Sequence, residues 1–167
     1  MNYLFLMGSL LFAVLRFPGI KFDNVMEITK NTVSPEKEIR LLVDTLMNAF
    51  ANADATAFSS VFADNADCII RDGHLLQGRE QINQIHQKIF SSIYSEGTTS
   101  QYHVESVRQL HSDIALVRIK GTMQFKQGER LAEVNGRISL ICVRKDGAWK
   151  VTLFQNTSEM RPLSSGS

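Results

Sequence analysis

The stretch NGRISLICVRKDGAWKVTLFQNT, residues 135–157, decides the fold. Two strand-forming runs, NGRISLICVRK and WKVTLFQNT, flank KDGA, and Asp146-Gly147 suits a tight turn whose two central residues take positive φ. The pair therefore predicts an antiparallel hairpin. Within it ISLICV is an almost unbroken apolar run instead of a strict alternation, the pattern of a strand covered on both faces. IALVRI, residues 114–119, has the same character.

Working upstream, DIALVRIKGTMQF and QYHVESVRQL read as two more strands, with HSD and SEGTTS as the breaks, while FKQGERLAEVNG reads as a hairpin loop or a ragged strand end. Before them the period changes. Gly78 leads into a helix of about 16 residues with Ile82, Ile85, Ile89 and Ile93 on one side. CIIRD, residues 68–72, reads as a short strand turned by Asp72-Gly73 and followed by a loop. Asp54 suits the cap of a short helix whose buried edge is Phe58, Val61 and Phe62. Ser34, Pro35, Glu36 and Glu38 form a helix start, after which Ile39, Leu42, Val43, Leu46 and Phe50 recur at helical spacing to about Asn52. Helices first and an antiparallel sheet afterwards give an α+β fold. Three helices cover one face of a curved sheet. The apolar runs ask for a cover on the other, and a second copy of the same sheet is the simplest one, so a homodimer with a twofold interface through the sheet face is expected.

A chain of 167 residues has room for one domain with a core, here residues 34–158. Eighteen basic against seventeen acidic residues leave a net charge of +1, and the basic residues are scattered, so nucleic acid and an anionic membrane surface are poor partners for the folded domain. Cys68 and Cys142 each sit inside an apolar run and read as small buried hydrophobes; two cysteines make no disulfide framework. Residues 1–25 differ from the rest. Their apolar run from Tyr3 to Leu15 is shorter than a membrane span and lacks the basic start and cleavage site of a signal peptide. They are expected to be an extension outside the fold, with Met26 as an alternative start and a cytoplasmic location; a poor export signal or a tether is the alternative. Residues 159–167 are expected to be a disordered tail.

The end of the first helix in NAFANAD, then FADNADCII, the Asp-Gly turn, GREQI and the closing W-K-V-T-L-F-Q-N-T strand resemble the NTF2-like superfamily, and more narrowly its SnoaL-like branch, the SgcJ/EcaC group. The similarity covers about residues 36–158. It implies a cone-shaped α+β half-barrel of three N-terminal helices packed on a curved, mostly antiparallel sheet, a pocket between helices and concave sheet, and a dimer. It does not settle the chemistry, because one fold carries many functions. Ketosteroid isomerases, relatives in that superfamily, use an aspartate base and a tyrosine donor; laid on this chain, those positions fall at about Ile70 and Leu46, so that machinery is absent.

His86 lies on the apolar face of the third helix, four residues after Ile82 and three before Ile89. With an ordinary pKa of about 6.5 it suits a general base or acid. The alternative is a core histidine bonded to a backbone carbonyl. Asp72 is most simply a turn residue, with a pocket-mouth carboxylate as the other reading. Arg118 interrupts IALVRI and anchors a substrate anion on one face or pairs at an interface on the other. Tyr102 and His103 point to opposite faces, so only one reaches a pocket. The expected pocket set is Leu46, Phe50, Phe62, Ile70, Ile82, His86, His103, Arg118, Trp149 and Asn156. No His, Cys, Asp or Glu cluster has metal-ligand spacing and no GxGxxG occurs, so no metal or cofactor is expected. The function expected is binding of a small hydrophobic molecule, with acid–base chemistry by His86 and with Arg118 or His103 stabilising negative charge. The competing expectation is a non-catalytic association module whose cavity is filled by phenylalanine and methionine.

Overall fold

The computed structural model describes residues 33–93, 98–127 and 130–159. The expected extension 1–25, and the expected tail beyond Glu159, lie outside the described residues. Helix α1 runs Pro35–Ala51; the Ser34 side chain accepts the Lys37 amide at 3.3 Å, with Pro35 in the first turn. The chain leaves α1 through Ala53 at a φ of 56°, and Asp54 caps α2 (Ala55–Ser60) by accepting the Ala57 amide at 2.9 Å. Both helix starts thus follow the capping residues read from the sequence.

Strand β1 (Phe62–Ile69) begins well before Cys68, and this corrects the assignment of Phe62 to the second helix. Its pairing with the last strand shifts register between Phe62 and Asp67, so the alternation is broken where FADNAD carries its polar residues. The chain then turns at Gly73, with φ at +88°, and returns as β2 (Leu75–Gln77), three residues that the sequence reading leaves in a loop. Gly78, at φ +82°, opens helix α3 (Arg79–Ile93). Four long strands follow: β3 (Thr99–His111), β4 (Ile114–Gln127), β5 (Arg130–Lys145) and β6 (Ala148–Ser158). Within FKQGERLAEVNG, residues 125–127 and 130–136 are strand, because β4 and β5 stay paired down to Gln127 and Arg130, and the two residues between them lie outside the described residues. Asp146 and Gly147 turn the β5–β6 hairpin with φ values of 52° and 80°.

The sheet order is β2-β1-β6-β5-β4-β3, antiparallel except where β1 lies parallel to β6. It is curved and unclosed, with the helical part packed on one side. On the inner face Val117, Ile119, Leu140, Cys142 and Val151 are buried beneath the helices with Leu46, Phe58 and Phe62. On the outer face the other members of the apolar runs, Leu116, Ile141, Val143 and Leu153, keep partial exposure. Cys68 and Cys142 are buried free thiols, and burial pushes both up to about 12, far from the reactive thiolate range. Among the described residues no helix is long and apolar enough to cross a membrane.

Two polar joints tie helices to sheet. Glu38 on α1 accepts from Trp149 Nε1 at 3.0 Å and pairs with Arg144 at 2.9 Å, holding the β5–β6 turn against the first helix. Arg79 on α3 donates from Nε and Nη2 to the Phe62 carbonyl at 2.9 and 2.7 Å and reaches Asp64 at 3.0 Å. Gly78 beside it donates to the Ala66 carbonyl at 2.8 Å, and a Cβ there would meet the Asp64 carbonyl at 3.2 Å. The Gly-Arg pair therefore fills the gap that the irregular β1 leaves. Arg79→Ala strips the Phe62 carbonyl of both donors, so urea unfolding should show a loss of about 2 kcal/mol. Glu36→Ala, which breaks only the exposed pair with Arg40, should change stability by less than about 1 kcal/mol.

Candidate functional site

A cavity of about 330 Å³ is lined by Phe50 of α1, His86 and Ile89 of α3, Ile70, Arg71 and Asp72 of the turn after β1, Met123 of β4, and Phe154 and Asn156 of β6. A narrow inward continuation of about 20 Å³, room for a single water, runs among Met47, Phe58, Tyr102, Gly121 and Ile138. The back wall is aromatic. The Phe50 ring meets Phe90 at 5.3 Å, Tyr102 at 5.9 Å and Phe58 at 6.1 Å between centroids. Gly121 makes this possible, because a Cβ there would come within 3.1 Å of the Tyr102 ring.

His86 is buried, with 3% of its surface exposed, and its ring stacks on Phe58 at 4.2 Å. Nδ1 lies 2.8 Å from the Ile82 carbonyl. A carbonyl only accepts, so Nδ1 carries the proton and Nε2 carries the lone pair. Burial pulls the imidazole below its ordinary value, opposed by the bond to Ile82. The ring is therefore neutral at pH 7, and it belongs to both readings of the sequence at once: a histidine bonded to a backbone carbonyl that also faces a cavity.

Arg71 is the cation among the lining residues. The residue is exposed, but partial desolvation of the guanidinium pulls its pKa down, with the Tyr102 phenol acting in the opposite direction. Asp72 is an exposed turn residue at the rim. Its Oδ1 accepts the His74 amide at 3.1 Å and lies 3.0 Å from His74 Nδ1, and these contacts hold its carboxyl below the usual range.

Of the residues expected in the pocket, Phe50, Ile70, His86 and Asn156 line the cavity. Leu46, Phe62 and Ile82 are fully buried in the core and outside the lining. Three expectations are corrected. Arg118, between buried Val117 and Ile119, must point outward, and it is exposed opposite Ser139 and Ser106. His103 is exposed opposite Lys120 on the same outer face, and Tyr102 takes the inward position. Trp149 is buried against α1 by its bond to Glu38, with Arg144 5.9 Å over its ring, and does not line the cavity. Arg71, Ile89, Met123 and Phe154 are lining residues that the expected set missed, while Asp72 sits at the rim as the alternative reading had it. Ile89 carried a signal in its spacing from His86; Arg71 sits in a turn with no periodicity to mark it. Among the described residues no group of three or more His, Cys, Asp or Glu is placed to hold a metal ion.

The lowered value of His86 has a sign that stability reports. In the unfolded chain the imidazole takes up a proton near its ordinary 6.5, whereas the folded ring resists it. The neutral ring's contribution is fully present above pH 6.5 and is lost as the pH falls through the folded-state value. Unfolding free energies measured from pH 7.5 to 5 should therefore fall more steeply for the wild type than for His86→Gln.

A family model described as SnoaL-like domain matches residues 39–155, most of the chain. Search of the curated proteins gives no match. Among solved structures, a domain with a cystatin-like fold from Nostoc punctiforme is 23% identical, with a TM-score of 0.69 over 78% of this chain and 80% of that one. A ketosteroid isomerase-like protein from Erwinia carotovora atroseptica is 16% identical, with a TM-score of 0.65 over 74% and 95%. A candidate calcium/calmodulin dependent protein kinase II association domain from Xanthomonas campestris is 16% identical, with a TM-score of 0.64 over 78% and 91%. Identities this low show the fold alone. The family match, which spans the first helix to the last strand, goes further: the chain, whose fold is NTF2-like, belongs to the SnoaL-like domain family.

Proposed function

We propose that this protein binds a small hydrophobic molecule in the cavity under α3, and that His86 accepts or moves a proton on it. The observation that carries the reading is a cavity of about 330 Å³ with five apolar walls, Phe50, Ile70, Ile89, Met123 and Phe154, and one buried neutral imidazole. Pockets of this kind, mostly apolar with a few convergent polar groups, are the usual form of a small-molecule site. A base that is neutral at pH 7 and shielded from water is available to take a proton from a bound hydroxyl or an acidified C–H. The role first given to Arg118 or His103, stabilising negative charge, passes to Arg71, the cation in the lining.

The narrower SgcJ/EcaC assignment and a homodimer belong to the same proposal. Leu116, Ile141, Val143 and Leu153 form a half-buried strip on the outer face, and a second copy packed there would remove them from water. The association-module reading keeps some support in the likeness to the Xanthomonas domain. The open cavity favours binding over a purely structural role, because phenylalanine fills only the inner part.

The test uses 2-naphthol, a neutral aromatic with one proton to share, followed by its fluorescence. The wild type should bind it, and Ile89→Trp, which occupies the cavity from α3, should abolish binding while keeping a cooperative thermal transition. His86→Gln should weaken binding about tenfold, the effect of one hydrogen bond. Binding that survives Ile89→Trp unchanged would place the ligand elsewhere and overturn the reading.

A further inference from the structure

We infer that the cavity is selective for hydrophobic monoanions of the carboxylate class, with Arg71 holding the charged end; the inference rests on the cavity being the ligand site. Arg71 lines both the main cavity and its inward continuation. Among the described residues no carboxylate lies within ion-pair distance of its guanidinium. The other described arginine pairs sit elsewhere: Arg40 with Glu36, Arg79 with Asp64, Arg137 with Glu105 and Glu159, and Arg144 with Glu38. Asp72 is its neighbour in the chain, but that carboxylate is turned to His74 and open to water. The cation thus stands at the open edge of a mostly apolar cavity, partly desolvated and with no carboxylate paired to it, where an arriving anion finds a partner.

Three features narrow the class. A guanidinium presents a planar fork of donors, which matches a carboxylate in two parallel hydrogen bonds. The charge of Asp72 on the rim disfavours a second negative charge, so a monoanion fits better than a dianionic phosphate monoester. The lone pair on His86 Nε2 repels an anion as well, so the charged end goes to Arg71 and a hydroxyl or acidic C–H faces His86. Between the two poles lie Phe50, Ile89 and Met123, which require an apolar body. The ligand so defined is amphipathic: a carboxylate at the mouth, a ring or chain in the cavity, a proton donor at its far end.

The test compares 2-naphthoate with its neutral counterpart 2-naphthamide by fluorescence titration of the full chain. The wild type should prefer the acid by about tenfold, the scale of one charge-assisted hydrogen-bonded pair. Arg71→Gln should erase that preference, so that acid and amide bind with equal affinity, and Arg71→Lys should keep part of it. Equal affinity for acid and amide in the wild type, or a preference that survives Arg71→Gln, overturns the role of Arg71 while the cavity reading stands. If neither naphthoate, naphthamide nor 2-naphthol binds, the cavity reading fails and this inference falls with it.

Discussion

The site depends on how α3 is fastened to β1. Strand β1 breaks register against β6 after Phe62, and an irregular strand leaves carbonyls without ladder partners. Arg79 supplies two donors to one of them, and Gly78 pairs with Ala66 just beyond. These contacts fix where the third helix starts, and a helix whose start is fixed has fixed faces. Seven residues on, His86 is delivered to the aromatic cluster. Where β1 ends, the same geometry brings Ile70 and Arg71 to the rim of the cavity. Two of the polar groups that line the cavity, His86 and Arg71, are thus positioned from one joint, one through the helix and one through the strand.

A neutral histidine in such a setting follows from burial. The Phe58 stack and the Phe90 edge surround the ring with apolar atoms, and a charged imidazolium would lose its hydration there. The Ile82 carbonyl answers one nitrogen, which fixes the tautomer and leaves the other with its lone pair. Arg71, exposed and less desolvated, keeps its charge, because an arginine stays protonated even when its value is pulled down. One cavity therefore holds a neutral acceptor and a persistent cation, two poles that orient an amphipathic guest.

Much of the fold was legible in the sequence because its signals are local. Ser34 and Asp54 cap the helices they were expected to cap, Asp146-Gly147 makes the tight hairpin, and the isoleucine spacing from Ile82 marks α3. What was not legible depends on partners far along the chain. Strand β2 is three residues long and exists only by pairing with β1, and β1 itself hides behind Asp and Asn residues that resemble a loop. Arg118 was ambiguous as a lone charge in an apolar run, although the buried pair Val117 and Ile119 on either side shows that it faces outward. Arg71 lay within the turn that the sequence reading took for architecture. Its functional position follows from the parallel register of β1 beside β6, which no local pattern encodes.

The claim that unites these observations is that His86 is a neutral acceptor facing a ligand. The imidazole nitrogens of His86, followed by two-dimensional ¹⁵N–¹H spectra at pH 7 with and without 2-naphthol, test it most directly. The account predicts a neutral ring protonated on Nδ1, with an Nε2 resonance that moves as the ligand is added. A ring protonated on Nε2, an imidazolium, or an Nε2 resonance indifferent to the ligand would contradict it.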